Sequence, residues 1–363
     1  MIRRGYGLIF LLVATAASTM AMAAGRVPSF ATRDDVQSFI ADMSVRHGFD
    51  RVELADAFAE IHPLPAVIKA ITPPSDPAVR SWHNYRARFV EPKRIAAGKR
   101  FWATNAATLR AASERYQIPE EIIVAIIGVE TIFGRNTGRF NTLAAIATLA
   151  FDYPPRATLF REELEALLLL AREQKRDPLA YRGSYAGALG LPQFLPSSVR
   201  QWGVDFDGNG RIDLDTAADA IGSVATFLYA HGWQPNEAIA APVTVTADNK
   251  VQTLIDEGIR PQRLPAEMAA MGVQAAQAIA RPAALIDLVT PGSPTEYWLG
   301  YQNFFVLTRY NRSSFYAMAV HQLAEALLDA NQDAAVSPPS RLKAKRHARG
   351  SSNHRNATTK SPE

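Results

Sequence analysis

The fold is decided by the stretch Pro119-Glu120-Glu121-Ile122-Ile123-Val124-Ala125-Ile126-Ile127-Gly128-Val129-Glu130-Thr131-Ile132-Phe133-Gly134. A proline followed by two carboxylates is typical of the first turn of a helix, whose amino end carries positive partial charge. Residues 122–129 are apolar on every side, and a helix of this kind is buried. The stretch therefore predicts the central helix of a helical core, with Gly134 as its left-handed cap.

Glu130 is the one charged residue at the carboxyl end of this apolar helix. Burial disfavours an ionised carboxylate, and the negative end of the helix dipole acts in the same direction, so we expect a raised pKa. A carboxylic acid that stays protonated near neutral pH can serve as the general acid in glycoside cleavage. The helix alone leaves a second interpretation open, in which Glu130 forms an ion pair with Arg135 or Arg139.

A second motif, SYAGALGLPQFLPSS at residues 184–198, is dense in small residues around a single amide. Glycine lets the backbone approach a ligand closely. The amide of Gln193 offers two donors and an acceptor, which suits a sugar hydroxyl or a water. The alternative is a Gly/Pro-rich loop that leads into a helix capped by Ser197 or Ser198.

Hydrophobic periodicity gives the rest of the layout. It predicts helices at 30–47 with Thr32 as a cap, 94–116, 141–150, 159–174, 217–231 and 313–330. Segments that alternate, or that are rich in β-branched and aromatic residues, predict strands at 243–246, 285–290 and 297–308. Glu162, Glu163 and Glu165 are typical of a solvated helix face. The fold class is therefore mainly α, within the α+β class.

The chain divides into six predicted units. They are a signal peptide at 1–24, an N-terminal α region at 25–100, a helical catalytic core at 101–238, a small inserted antiparallel β subdomain at 239–307, a C-terminal core helix at 308–332 and a disordered basic tail at 333–363.

The amino-terminal segment has the pattern of an export signal. Arg3 and Arg4 precede an apolar run at residues 8–17, and Ala21-Met22-Ala23 is a small-residue cleavage motif. The absence of cysteine excludes disulfides, thiolate metal sites and a lipid-modified cysteine. We therefore expect a periplasmic protein that is exported with a cleaved signal peptide and is not lipid-anchored.

The net charge of +4 is unevenly distributed. The segment 337–363 holds seven basic residues and one acidic residue, and the leader holds two arginines, so the body between them carries a net charge of −4. A nucleic-acid groove needs a basic face, so the sequence argues against nucleic acid as a partner.

The segment DFDGNGRID at residues 205–213 has the opening of an EF-hand loop. Oxygens at its first, third, fifth and seventh positions suit Ca²⁺, and they fall on Asp205, Asp207, Asn209 and the carbonyl of Arg211. The loop departs from the pattern at its twelfth position, where Thr216 stands in place of glutamate.

Three motifs, in order, resemble the membrane-bound lytic transglycosylase B family: residues 128–134, residues 184–198, and Tyr310-Asn311-Arg312-Ser313. The resemblance covers about residues 30–330. It implies a goose-type-lysozyme-like helical core with an additional α region and a small β domain.

The resemblance also implies site residues. The acid/base glutamate falls on Glu130. Residues that bind the saccharide fall on Ser184, Gln193, Phe194, Arg156, Tyr310, Asn311, Tyr316 and Tyr85. Pro155 stands where the family often has another arginine. The late acidic ligand of the family's cation loop falls on Asp219, although Thr216-x-x-Asp219 is also a helix-capping pattern. Asp213 and Asp215 are the alternatives, either as ligands or as residues that face water.

The implied activity is cleavage of peptidoglycan glycan strands by attack of the muramoyl C6 hydroxyl, which gives 1,6-anhydromuramoyl ends. No cofactor is expected for catalysis, and the Ca²⁺ is expected to be structural. A hydrolysing muramidase on the same scaffold and a non-catalytic glycan-binding or calcium-binding envelope protein are the alternatives. The expected partners are glycan strands and other cell-wall enzymes, and the expected state is a monomer.

Overall fold

The computed structural model describes residues 29–73, 80–246, 249–277 and 279–336. The predicted signal peptide lies outside these ranges, and so does the predicted tail from residue 337 onward. Residues 333–336, which we assigned to the tail, belong to the last helix. Within the described ranges, no helix combines the length and apolarity needed to cross a membrane.

The described residues form fifteen α-helices and six strands. The helices are α1 Asp34–His47, α2 Arg51–Ala59, α3 Pro65–Ile71, α4 Trp82–Ala87, α5 Pro92–Thr104, α6 Ala106–Tyr116, α7 Glu120–Thr131, α8 Thr142–Asp152, α9 Ala157–Glu173, α10 Pro196–Trp202, α11 Ala217–Ala230, α12 Asn249–Asp256, α13 Pro265–Ala269, α14 Gln302–Tyr310 and α15 Ser314–Val336. The strands are β1 Phe140–Asn141, β2 Arg182–Gly183, β3 Ala240–Val245, β4 Val273–Ala275, β5 Ala284–Leu288 and β6 Glu296–Gly300.

Helix α7 is the centre of the core, as predicted. All residues from 122 to 129 are buried, and α5, α6, α11 and α15 pack around the helix. Gly128 permits a further close contact, with the residue that follows the end of α7, because an added Cβ would lie 2.6 Å from the ring of Phe133. The apolar residues on all sides of α7 therefore match its surroundings.

The cap that we predicted for α7 at Gly134 is wrong. The helix ends at Thr131, its cap is Ile132 with φ 53°, and Phe133 follows with φ 58°. A β-branched residue rarely adopts this region, so the turn is strained. The amide of Gly134 donates to the hydroxyl of Thr131 at 3.0 Å, and the buried guanidinium of Arg94 donates to the carbonyl of Gly128. These bonds satisfy groups at the helix end and offset the strain.

The start of the first helix also differs from the prediction. Phe30–Thr32 forms a 3₁₀ turn, and α1 begins at Asp34 without a side-chain cap, so the predicted cap at Thr32 is wrong. Phe30, Val36 and Phe58 belong to the same hydrophobic cluster as the buried residues of α7. The N-terminal helices thus extend the main core.

The β unit is a four-stranded antiparallel sheet with the order β4-β3-β6-β5. It has a hydrophobic cluster of its own, which includes Leu254, Met268, Leu285 and Leu299. The strand predicted at 297–308 is wrong beyond Gly300, because residues 302–310 form α14. Aromatic and β-branched content favours strands, but here Phe304, Leu307 and Thr308 bury one helical face. The boundaries of the six units remain a prediction.

Candidate active site

Glu130 lies in the last turn of α7 and is bonded to a tyrosine of α15. The hydroxyl of Tyr316 donates to Oε1 of Glu130 at 2.7 Å. The residue keeps part of its surface accessible to solvent. Among the ion pairs of the described residues, none includes Glu130, so the alternative in which Arg135 or Arg139 neutralises it has no support here.

Burial raises the pKa of the Glu130 carboxyl to about 7, against the smaller, lowering effect of the bond from Tyr316. Desolvation penalises the charged form, whereas a donated hydrogen bond favours it. An acid with a pKa near the ambient pH can both release and recover a proton during one reaction cycle. The geometry and the pKa of Glu130 therefore suit both catalytic roles.

Two stacked tyrosines flank the carboxyl. The rings of Tyr310 and Tyr316 are 6.2 Å apart with an interplanar angle of 12°. The hydroxyl of Tyr310 donates to the carbonyl of Pro192 at 2.6 Å. Burial raises the pKa of both phenols well above the usual value, so both stay protonated and act as donors. The saccharide contact predicted for Tyr316 is thus accompanied by a direct bond to the acid.

The second motif forms a tight loop that reaches the end of α7. Leu189 and Phe194 pair through their backbones, with N···O distances of 2.8 and 3.2 Å. Between them Gln193 adopts φ 52°, a conformation that glutamine rarely takes. The hydroxyl of Thr131 donates to the carbonyl of Leu191 at 3.0 Å and so connects the loop to the residue next to Glu130.

The nitrogen of the Gln193 side-chain amide is already bonded within the protein. Its Nε2 donates to the carbonyls of Thr137 at 3.1 Å and Gly190 at 2.9 Å. An amide nitrogen has two protons, so both can be engaged by the protein. Oε1 is the part of the side chain that remains to accept a hydrogen bond from a ligand.

Ser184 opens the same loop and is partly exposed. Its Oγ accepts from the amide of Ala188 at 3.0 Å, and its own amide donates to the carbonyl of Ala188 at 2.9 Å. No acceptor for the hydroxyl proton is found in the described part of the chain. Ser184 can therefore donate to a ligand while the turn holds its oxygen in place.

Phe194 was predicted to bind the saccharide, but its side chain lies in the core. The side chain is 3% exposed, and its ring packs against Phe227 at 5.6 Å and Tyr310 at 5.7 Å. It supports Tyr310 from the core and has no surface for a substrate, because aromatic side chains fill the interior on both sides.

Three further predicted residues differ in how closely they join the site. Tyr85 packs on Phe315 at 5.6 Å, and the charge of Glu130 contributes to the rise in the pKa of Tyr85, which burial causes in the main. Asn311 is exposed and directly follows Tyr310. Arg156 is also exposed and lies over the ring of Phe160 at 5.4 Å, and no described contact joins it to Glu130.

One supporting residue was missed from the sequence. Glu163 is 4% exposed, and it accepts from the hydroxyl of Ser197 at 2.6 Å and from its amide at 3.0 Å. The predicted solvated face is therefore wrong at this position, although Glu162 beside it is exposed. Burial raises the pKa of Glu163, and the two bonds from Ser197 oppose this rise. The pair fixes the start of α10, just after the loop that carries Gln193.

The acidic loop brings three of its predicted ligands together. Carboxylate oxygens of Asp205, Asp207 and Asp219 lie within 4.8 Å of one another. Asp219 is fully buried and accepts from the amides of Phe206 at 2.8 Å and Asp213 at 2.7 Å. Its own amide donates to the hydroxyl of Thr216 at 3.4 Å. The capping pattern and the cluster of carboxylates thus coexist.

The sequence and the fold both match known proteins. Residues 31–325 match the transglycosylase SLT domain. The chain is 40% identical over 309 residues to membrane-bound lytic murein transglycosylase B of Escherichia coli (strain K12), a match that covers 82% of this chain and 84% of that protein. The crystal structure of soluble lytic transglycosylase SltB1 from Pseudomonas aeruginosa is 42% identical with a TM-score of 0.77, and the match covers 82% of this chain and 99% of SltB1.

A third match is the structure of Escherichia coli lytic transglycosylase Slt35 in complex with calcium. It is 39% identical with a TM-score of 0.75, and the match covers 84% of this chain and 96% of Slt35. The family match spans most of the sequence, and the similarity to these proteins extends over nearly the same residues. The chain therefore belongs to the transglycosylase SLT family of lytic transglycosylases.

Proposed function

We propose that this peptidoglycan lytic transglycosylase cleaves the bond from N-acetylmuramic acid to N-acetylglucosamine with Glu130 as its single acid and base. The observation that carries the proposal is the partly accessible carboxyl of Glu130, whose pKa is raised by burial to about 7 and whose Oε1 accepts from Tyr316. Such a group is protonated when substrate binds and can be ionised after it has given its proton to the leaving sugar.

The reaction has two steps. Glu130 donates its proton to the glycosidic oxygen as the bond from that oxygen to C1 breaks, and the carbonyl oxygen of the substrate's acetamido group stabilises C1, as an oxazolinium. The muramoyl C6 oxygen then bonds to C1 as the bond from C1 to the acetamido oxygen breaks and the acetamido group is restored, while Glu130 takes the proton from the C6 hydroxyl. The acid is restored, a 1,6-anhydro ring is formed and no water is consumed.

A single carboxylate is consistent with the surroundings of Glu130. Ordinary glycosidases use two carboxylates on either side of the bond. Asp152 is paired with Arg33 at 2.5 Å, and Glu163 is bonded to Ser197. Within the described residues, no other carboxylate affects the pKa of Glu130. This supports a mechanism in which the substrate supplies the nucleophile itself.

The neighbouring polar groups have orienting roles. Oε1 of Gln193 accepts from the substrate, and the hydroxyl of Ser184 donates to a sugar or acetamido oxygen. Tyr85, Tyr310 and Asn311 bind the saccharide beside the acid. Arg156 binds the saccharide further from Glu130. One cationic contact is lost there, because Pro155 stands where the family often has another arginine.

The experiment that tests this function identifies the products. Purified peptidoglycan is digested in heavy-oxygen water and the fragments are analysed by mass spectrometry. We expect anhydromuramoyl ends that contain no label. Labelled reducing ends would instead establish the hydrolysing muramidase, and the absence of any cleavage would establish the non-catalytic envelope protein.

The acidic loop is a proposed Ca²⁺ site. Its donor set consists of hard oxygens from Asp205, Asp207, Asn209, the Arg211 carbonyl and Asp219, which fits Ca²⁺ better than softer metals. The close approach of three carboxylates supports this assignment, because like charges at such distances repel unless a cation lies between them. Its role is to stabilise the loop, and it supplies no chemistry to the reaction at Glu130.

The remaining proposals concern the location of the protein, its oligomeric state and its partners. The protein acts in the periplasm after export and has no lipid anchor, which the absence of cysteine supports. It works as a monomer on peptidoglycan glycan strands, alongside other cell-wall enzymes.

A further inference from the structure

Helix α4, which carries Tyr85, is too short to be stable alone. It has six residues, whereas isolated helices shorter than ~12 residues are marginal in water. Its position must therefore come from contacts with other parts of the chain. Those contacts determine where Tyr85 lies.

The amino end of α4 is capped by the connection between β5 and β6. The amide of Trp82 donates to the carbonyl of Val289 at 2.8 Å, and the amide of His83 donates to the hydroxyl of Thr290 at 3.1 Å. The next amide, of Asn84, donates to the hydroxyl of Ser81 at 3.3 Å. The first three amides of the helix are thus satisfied, two of them by residues of the β unit.

The other side of α4 packs on α15. The ring of Phe315 lies 5.4 Å from that of Trp82 and 5.6 Å from that of Tyr85, both edge-on. Nε of Arg86 donates to Oε1 of Gln322 at 2.5 Å. Phe315 directly precedes Tyr316, which bonds to Glu130. Helix α4 therefore lies between the β unit and the residues that hold the acid.

We infer that the β5–β6 connection is a positioning element of the active site, in which Val289 and Thr290 hold α4 so that Tyr85 binds the glycan beside Glu130. The inference rests on the proposed role of Tyr85 in binding the saccharide. No described contact joins Thr290 to Glu130, and Thr290 acts through α4. The β unit is thereby connected to the binding of the substrate.

The test is Thr290→Val, which keeps the shape of the side chain and removes the hydroxyl. A single net hydrogen bond corresponds to about fivefold in an equilibrium constant. We expect KM for soluble, uncross-linked glycan strands to rise about fivefold with kcat within about twofold of wild type. Thr290→Ser should restore KM. Hydrogen exchange of the segment 81–88 should become faster in Thr290→Val.

Thr244→Val is the matched control. Its hydroxyl lies on β3 and donates to the carbonyl of Gln274 at 3.4 Å, inside the same β unit. We expect neither KM nor exchange in 81–88 to change. A purely structural role for Thr290 would instead lower kcat by reducing the folded fraction, and it would leave KM unchanged.

A second variant separates this inference from the proposed function. If Tyr85→Ala raises KM and Thr290→Val has no further effect in that background, Thr290 acts through Tyr85. If Tyr85→Ala raises KM and Thr290→Val alone does not, the inference is overturned. If Tyr85→Ala leaves KM unchanged, the role of Tyr85 fails, and the exchange of 81–88 then decides whether the cap holds α4.

Discussion

The hydroxyl of Tyr316 donates a 2.7 Å hydrogen bond to Glu130 although the two residues are 186 positions apart in the chain. The bond favours the ionised acid, whereas burial favours the protonated one and has the larger effect on the pKa. This balance leaves the pKa of Glu130 at about 7, near the middle of the physiological pH range. The hydrogen bond can be removed by a single substitution.

Tyr316→Phe should move the alkaline limb of the pH profile to higher pH. Glu130 must be protonated to act as the acid, so wild-type kcat/KM should fall as pH rises through about 7. Removing the donor raises the pKa of Glu130 further, so the limb shifts upward. The measurement is kcat/KM on soluble glycan strands as a function of pH.

Tyr310→Phe is the control for that shift. The hydroxyl of Tyr310 bonds to Pro192 and not to Glu130, so the limb should stay in place. A limb that moves to lower pH in Tyr316→Phe would contradict the assignment of Glu130 as the group that titrates.

Glu130→Gln should stabilise the protein at alkaline pH and have little effect at acid pH. The pKa of Glu130 is about 7 in the folded state and 4.5 for the free side chain, so between these values the folded state binds more protons. The free energy of unfolding of wild type therefore falls as pH rises through this window. Glu130→Gln has no carboxyl at this position and is free of that loss. Its free energy of unfolding should exceed that of wild type by on the order of 2 kcal/mol at roughly pH 8 and by almost nothing at roughly pH 4.

Urea unfolding of both proteins at the two pH values measures this difference. Equal free-energy differences at acid and alkaline pH would mean that burial does not raise the pKa of Glu130. The comparison needs no substrate and is independent of the mechanism.

Glu163→Ala should destabilise the protein by about 2 to 3 kcal/mol, because it leaves the amide and hydroxyl of Ser197 without their buried acceptor. Glu162→Ala, one residue earlier on the exposed face of α9, should change the free energy of unfolding by less than about 0.5 kcal/mol. Denaturant unfolding distinguishes them. Equal effects would show that the bond from Ser197 to Glu163 contributes nothing.

Ca²⁺ should raise the thermal stability of wild type relative to a chelator-treated sample. A ligand at 100 times its dissociation constant stabilises the folded state by about 2.7 kcal/mol. Asp207→Asn should lose most of this gain, and without Ca²⁺ it should be at least as stable as wild type, because the amide oxygen still accepts from Asn209 and one of the repelling charges is gone. Asp215→Asn, in the same loop but outside the carboxylate cluster, should respond to Ca²⁺ as wild type does. If Ca²⁺ does not raise the thermal stability of wild type, the proposed Ca²⁺ site is wrong.

The sequence predicted the elements whose signal is local. The buried helix α7 could be recognised because its apolar residues occupy every side, and Glu130 because no other charge lies near the end of that helix. The density of small residues around one amide indicated the loop of Gln193, and the spacing of oxygen-bearing residues indicated the acidic loop. These features depend on residues that are neighbours in the chain.

The features that were predicted wrongly depend on packing between distant segments. Glu163 was assigned to a solvated face because it lies among other glutamates, and only the docking of α10 on α9 buries it. Residues 302–310 have the composition of a strand, and only their packing against the core selects a helix. Ile132 takes a conformation that local preference assigned to Gly134, because tertiary bonds offset its strain. The bond from Tyr316 to Glu130 also joins distant segments, and it was not predicted from the sequence.

Glu130→Gln on purified peptidoglycan tests the central claim most directly. The amide keeps the size of the side chain and can still accept from Tyr316, but it cannot donate an acidic proton. We predict that release of anhydromuramoyl products falls by at least about a thousandfold while circular dichroism and the cooperative unfolding transition are retained. A folded variant that keeps most of the wild-type activity would show that Glu130 is not the acid, and the mechanism would be wrong.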